Sequence, residues 1–406
     1  MAAMRRYRRN PLKPESREYL LMIVGGTLTM FAGGLVQPIF APFVRREFTA
    51  PIFLVGLAVS GYFVVRMLAE FPIGVLSDRI AIRRLLIVGR FFGIFGALVS
   101  YMTNDIWVLI VARALWGVGD ASFFCIGMTY VASLFPNKTR GRYLGLFQAV
   151  ELTGSFVGQT AAGFLASSVG LRSNFLISAA VGVGALGVVL LVRGSGQQIK
   201  PGSLSSAIPS RAVFRGLLNR TLVACCLINF LCMMINNGLM GTLLPLYATE
   251  QLAFSLAGYG LLVSLSTAGN ITGNLLGGAL SDRLGRRRML AAGFVVGAFS
   301  LVGLSLTQDF GTMLPLMFAN GFFWGIVYGV TPAFIADSVP AESRGMAIGT
   351  YRTFFDFGGV VGPIVYSTVL SAAGAPLGYT LAFYVGAATL VLNLLLVLQL
   401  RERPQP

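Results

Sequence analysis

Seven ionisable residues stand deep inside runs that are otherwise nearly free of charge: Arg66, Glu70, Arg113, Asp120, Glu151, Arg352 and Asp356. A carboxyl in a dry setting resists ionisation and can take up and release a proton, while a guanidinium can hold a carboxylate of the protein or of a substrate. Arg66 and Glu70 are four residues apart, as are Arg352 and Asp356, so each pair shares a helical face and reads as internally neutralised. Asp120 and Glu151 have no such neighbour, which makes them the preferred proton sites. The chain has no histidine, and its four cysteines (Cys125, Cys225, Cys226 and Cys232) lie within apolar runs. No metal or other cofactor is expected from these residue types.

Such chemistry needs elements that hold it out of water. Only 11% of the 406 residues are charged, 55% are apolar, and the mean hydropathy is +0.77, far from the balance of a soluble domain. Twelve segments are long and apolar enough to span a bilayer: 19–42, 54–76, 85–103, 106–133, 143–168, 174–192, 221–247, 255–280, 289–307, 312–338, 346–372 and 376–400. No alternating pattern of barrel strands occurs, so the fold class is an all-α membrane protein. At 1.5 Å per residue, Asp120 lies about 20 Å from the outer end of its span and Asp356 about 15 Å from the inner end of its own. Glu151 lies at a similar level. Arg90, near the inner edge of the third span, reads as a residue that snorkels to the interface.

The formal charge of +16 is scattered in short clusters between spans rather than gathered on a solvated domain, which argues against nucleic acid. Twenty-four of the 31 basic residues fall on the side of the two termini, three on the other side and four within spans. That asymmetry predicts cytoplasmic termini, and the short loops predict a prokaryotic inner membrane. The organisation expected is a basic tail at 1–18, a six-helix bundle at 19–193, a cytoplasmic linker at 194–216, a second bundle at 217–400 and a tail at 401–406.

The two halves repeat each other. "GVLSDRIAIRR" at 74–84 returns as "GALSDRLGRRR" at 278–288, displaced by 204 positions. The same offset relates Gly34 to Gly238, Gly117 to Gly321, Gly158 to Gly362 and Arg140 to Arg344. Six spans per repeat is an even number, so both halves keep one orientation about an axis normal to the membrane.

Here the chain resembles the major facilitator superfamily, over all twelve spans. The family's loop signature G-x-L-a-D-r-x-G-r-[KR] is matched in the second half by Gly278, Asp282, Arg283, Gly285 and Arg286 among others. The first half matches at Gly74, Asp78, Arg79 and Arg83, and departs at Ala81 and Ile82. The resemblance implies two pseudo-symmetric six-helix bundles and a conformational latch, with Asp78 meeting the eleventh span and Asp282 the fifth. "LIVARALWGVGDA" at 109–121 is similar to the fourth-span motif of proton-coupled members, with Trp116 in place of glutamine. "GSFVGQTAAG" at 154–163 partly resembles the antiporter motif, with Gln159 in place of proline.

The reading is a monomeric secondary transporter, not an enzyme, that works by alternating access and exports amphipathic or cationic small molecules against protons. Its cavity would be lined by Phe123, Phe124, Asn236, Asn237, Phe322, Phe323, Trp324 and Tyr328 and would be acidic on balance. No nucleotide-binding loop is present, and "GVGALG" at 182–187 lies within a span with no strand before it. An organic-anion or nutrient carrier using Arg113 or Arg352, a lipid or glycolipid translocator, and a sensor on the same fold are the rival readings.

Overall fold

A peptide group in lipid has no water to bond, so each apolar run must satisfy its backbone internally. The computed structural model describes residues 14–77, 79–193, 220–339 and 344–400, and they form helices throughout. The first half comprises α1 (Pro14–Gly34), continued through a short turn by α2 (Phe40–Glu47), then α3 (Ile52–Ser77), α4 (Ile82–Met102), α5 (Ile106–Leu134), α6 (Asn137–Val169) and α7 (Ser173–Leu191). The second comprises α8 (Arg220–Met234), α9 (Leu244–Leu246), α10 (Leu256–Leu284), α11 (Arg286–Leu306), α12 (Phe310–Ser338), α13 (Arg344–Ala373) and α14 (Leu377–Leu398). Around α9 the seventh span is wound as π-helix, at Ile235–Leu243 and Tyr247–Gln251. Ten of the twelve expected spans are apolar enough to qualify by length and composition alone. The exceptions are α6 and α10, which pack against each other across the two halves.

The repeat in sequence is a repeat in packing. Gly34 presses on the backbone of Ser155 and Gly158, and Gly238 presses on Gly362, so the first span crosses the fifth as the seventh crosses the eleventh. Asp105 and Asp309, also 204 apart, each accept backbone N–H bonds at the start of α5 and α12. Helices α4, α7, α11 and α14 pack within their own halves, while α3 meets α13 and α6 meets α10 across the divide. The four nearly uncharged spans are therefore the peripheral ones.

The halves touch mainly toward the face opposite the termini. There the Ser60 hydroxyl donates to the Val360 carbonyl at 2.6 Å, and Gly56 lies against Pro363 and Ser367. A Cβ on Gly163 would sit 2.6 Å from the Cα of Gly260, so only glycine lets α6 and α10 approach this closely. At the rim of that face, Arg45 pairs with Glu250 across the halves at 3.5 Å. On the face of the termini the halves part: Leu146 of α6 and Ile348 of α13 are exposed, and the Asp282 side chain is 67% exposed.

Candidate functional site

Helix α3 carries a stripe of Tyr62, Arg66 and Glu70, each one turn beyond the last, against α13 and α5. The expected pairing within helices does not occur. Arg66 Nη2 donates instead to Asp356 Oδ1 of the other half at 2.6 Å, in a contact buried on both sides. Arg352 approaches Glu70 across the same seam, with Nε 3.5 Å from Oε1. The physical reason is the close approach of α3 and α13, which puts opposite charges nearer across the seam than along either helix.

Asp120 is not isolated either. Arg90 Nη2 reaches its Oδ1 at 3.4 Å, and the Tyr62 hydroxyl donates to Oδ2 at 2.7 Å. Arg90 does not snorkel: it is buried, with Nη1 on Thr29 Oγ1 at 2.7 Å and a second bond from Nη2 to the Gly119 carbonyl. Helices α4 and α5 meet backbone to backbone at Gly89, Gly93 and Gly119, and Arg90 lies on the flank of that contact. Its side chain turns into the bundle, where Asp120 repays the desolvation of the charge. Arg113 has no carboxylate partner among the described residues. Its guanidinium lies within 5.0 Å of the ring centroids of Phe40, Tyr62 and Trp116, a box that holds a cation by the faces of its rings.

Glu151 is different. It is buried on α6, and its Oε1 has no hydrogen-bond partner among the described residues. The carboxylate sits against α1 at Gly26, where a Cβ would come within 2.2 Å of Oε1. Arg352 and Arg90 are the cations whose fields reach it. The membrane-embedded tally is thus Arg66, Arg90, Arg113 and Arg352 against Glu70, Asp120, Glu151 and Asp356. The interior is balanced rather than acidic on balance, because Arg90 joins it.

The expected cavity residues divide. Phe124 is half-buried and stacks near both Arg66 and Arg352, with its centroid 4.6 Å from the Arg352 guanidinium carbon. Asn236 donates to the Tyr328 hydroxyl at 3.2 Å. Phe123 lies instead in the core of the first half under Arg90, and Phe323 fills the space beside Gly297 in the second. Trp324 is buried too, its indole N–H bonded to Asn320, and Asn237 turns back onto the Met233 carbonyl. Phe322 is half-buried, its backbone against Gly269 and Gly273 of α10.

The loop motifs also differ from expectation. Asp282 does not meet the start of α6; it is exposed and pairs with Arg286 of α11, one turn on, at 3.6 Å. Among the described residues its only ion pair is this one along its own chain. Arg83 donates to the Leu190 carbonyl at the end of α7 at 2.8 Å, and Arg287, its repeat mate, donates to the Leu398 carbonyl at the end of α14. Each arginine thereby satisfies an orphan carbonyl at the negative end of a helix dipole. Gly74 touches the Cys125 sulfur, Gly285 turns the chain with φ of +94°, and Arg79, Arg140 and Arg283 are exposed. Asp78, the Arg344 side chain, the 194–216 linker, residues 1–13 and the tail at 401–406 lie outside the described residues, and α1 already begins at Pro14, within the tail expected at 1–18.

The Major Facilitator Superfamily profile matches residues 22–259 and 225–406, which together run through every helix from α2 to α14. This chain belongs to that superfamily. Multidrug resistance protein MdtG of Proteus mirabilis is 27% identical to this facilitator over 84% of each chain. The class C tetracycline resistance protein of Escherichia coli is 26% identical, over 91% of this chain and 93% of its own. Among solved structures, a variant of the nucleoside transporter NupG superposes with a TM-score of 0.75 at 12% identity, covering 94% of this chain and 99% of the other. The last likeness concerns the fold alone. The facilitator is a multi-pass membrane transporter of small molecules and not an enzyme.

Sequence reasoning passed over Tyr62 and misplaced Arg90. The signal for the first was the four-residue spacing Tyr62, Arg66, Glu70; for the second it was the run Gly89, Gly93, Gly96, which marks the packed face of α4. Glu18, which accepts from Tyr130 at 2.9 Å and from the Arg193 backbone, was also missed.

Proposed function

We propose that this facilitator exports amphipathic or cationic small molecules in exchange for protons, by alternating access. The basic asymmetry of the loops supports placing both termini in the cytoplasm of a prokaryotic cell, so the state described is open inward. The observation that carries the reading is Glu151. Three of the four embedded acids are matched with arginines, and among the described residues Glu151 alone has no ion-pair partner, its buried Oε1 also lacking a hydrogen bond. A carboxyl so placed is neutral when protonated and needs a new partner when it is not. Movement of the halves can supply or remove that partner. The names of the relatives, multidrug and tetracycline resistance proteins, support export of drug-like compounds. The protein works as a monomer, since each half finds its partner within one chain.

The rival reading, an organic-anion carrier, draws on Arg113, the arginine without a carboxylate. Its guanidinium is buried within three rings rather than open to a ligand, so the anion reading is the weaker. Purified protein in liposomes under an imposed pH gradient distinguishes them. Gradient-dependent uptake of a lipophilic cation is expected, and Glu151→Gln is expected to uncouple it at least tenfold. Uptake of an organic anion that vanishes in Arg113→Gln would instead establish the rival.

A further inference from the structure

Two arginines at the seam between α3 and α13 have similar surroundings and opposite fits. Arg66 is locked: it is buried, bonded to Asp356 at 2.6 Å, and ringed by Tyr62, Phe63 and Phe355. Arg352 is loose. Its single approach to Glu70 is 3.5 Å, too long to count as a hydrogen bond, and Glu70 Oε1 consequently has no hydrogen-bond partner among the described residues. The two side chains keep 31% and 22% of their surface exposed. The Arg352 guanidinium also rests 4.6 Å from the Phe124 centroid. A planar, delocalised, weakly hydrated cation lies over an aromatic ring and beside a carboxylate, which is how a protein holds an aromatic or lipophilic organic cation.

We propose that Glu70 and Phe124 form the cation subsite of this transporter, and that Arg352 occupies it as an internal stand-in which a cationic substrate displaces. This rests on the reading of the protein as a cation exporter and names where the charge of the cargo is held. The displaced arginine has a destination. Asp356 lies one turn along the same helix, and its Oδ2 is buried without a partner, since Arg66 uses only Oδ1. Arg352 can therefore leave Glu70 and still lie beside a carboxylate, while the entering cation takes Glu70 and brings one positive charge into the seam. The arrangement also selects. An anion would have to stand beside Glu70, while a hydrated ammonium would lose water for which one ring and one carboxylate do not compensate.

The test is equilibrium binding of radiolabelled tetraphenylphosphonium to the full-length protein in nanodiscs, with tetraphenylborate as the anionic control. Removing the stand-in with Arg352→Gln is expected to tighten binding by about tenfold, the scale of one cation–π contact with its charge pair. Glu70→Gln and Phe124→Leu are each expected to weaken it about tenfold in the same assay, and tetraphenylborate is expected not to bind at all. A purely structural arginine would give the opposite sign, so unchanged or weakened binding in a monodisperse Arg352→Gln protein overturns the subsite. Should Arg352→Gln not fold, wild-type affinity in Phe124→Leu overturns it equally. Tightened binding with no gradient-driven uptake would leave the subsite standing and remove the export reading; the reverse pattern would do the opposite.

Discussion

At the scale of single residues, the embedded acids differ in what their loss should do. Asp120 counterbalances Arg90, so Asp120→Asn leaves a buried guanidinium without its charge partner, a loss of about 3–5 kcal/mol when uncompensated. A marked fall in the thermal melting temperature in detergent is expected. Glu151 balances nothing within hydrogen-bond reach, so Glu151→Gln should melt within a degree or two of wild type while losing proton coupling. If the two variants melted alike, the distinction drawn between these acids would be wrong. Both acids were visible in the sequence as charges where none is tolerated freely. Their partners were not, because Arg90 and Tyr62 reach Asp120 through contacts between helices whose rotation no spacing encodes. The same limit applies to Arg66 and Asp356: the four-residue rule describes one helix, and the winning contact was made by two.

At the scale of elements, the glycines decide which helices can touch. Gly163 and Gly260 bring α6 and α10 into backbone contact on the face away from the termini. Gly163→Val should wedge that seam and populate a state open on that face. Labelling of a reporter Ser60→Cys by a membrane-impermeant maleimide would show it as a several-fold faster reaction, and an unchanged rate would mean the seam does not depend on that contact. The spans themselves were legible, though the fifth begins at Asn137 rather than 143 and the first runs from Pro14 to Glu47 rather than over 19–42, since an apolar run of this length satisfies its backbone in lipid as a helix. Two features were not. The π-helical winding of the seventh span, in which Gly238 packs on Gly362, has no mark in the sequence. The departure of the first loop from the family pattern at Ala81 looked like a defect, yet Ala81 has φ of −54° where Gly285 has +94°. At Ala81 the first loop takes a negative φ and has no use for glycine there.

At the scale of the molecule, one chain presents one closed face and one open face. Rim pairs such as Arg45 with Glu250 are half-exposed and contribute little individually. The buried Arg66–Asp356 contact is the stronger tie across the seam, and the proposed alternating access requires it to break or slide. In that alternate state Asp282 should find the start of α6, which it does not reach here. Asp282→Asn is therefore expected to leave the state described here untouched and to deplete the one closed on the face of the termini. Spin-label distances between the ends of α6 and α10 on that face would record this as a loss of the short-distance population; an unaltered distribution would argue that the motif acts only in topology. The two-fold repeat was the most legible property of all, because a constant offset survives any ignorance of contacts. The state in which the halves were caught was not legible, since one sequence serves both.

The grip of Arg83 on the end of α7, and of Arg287 on the end of α14, has a practical corollary for anyone handling this protein. Each outer helix is pinned at its last carbonyls to the first turn of the helix that follows the motif loop, so it travels with its own bundle as cargo on a rigid frame. Reporter domains fused downstream of residue 400 should be carried without harm. Trimming back past Leu398 would let the outermost helix drift, and preparations shortened there should lose homogeneity long before they lose their fold.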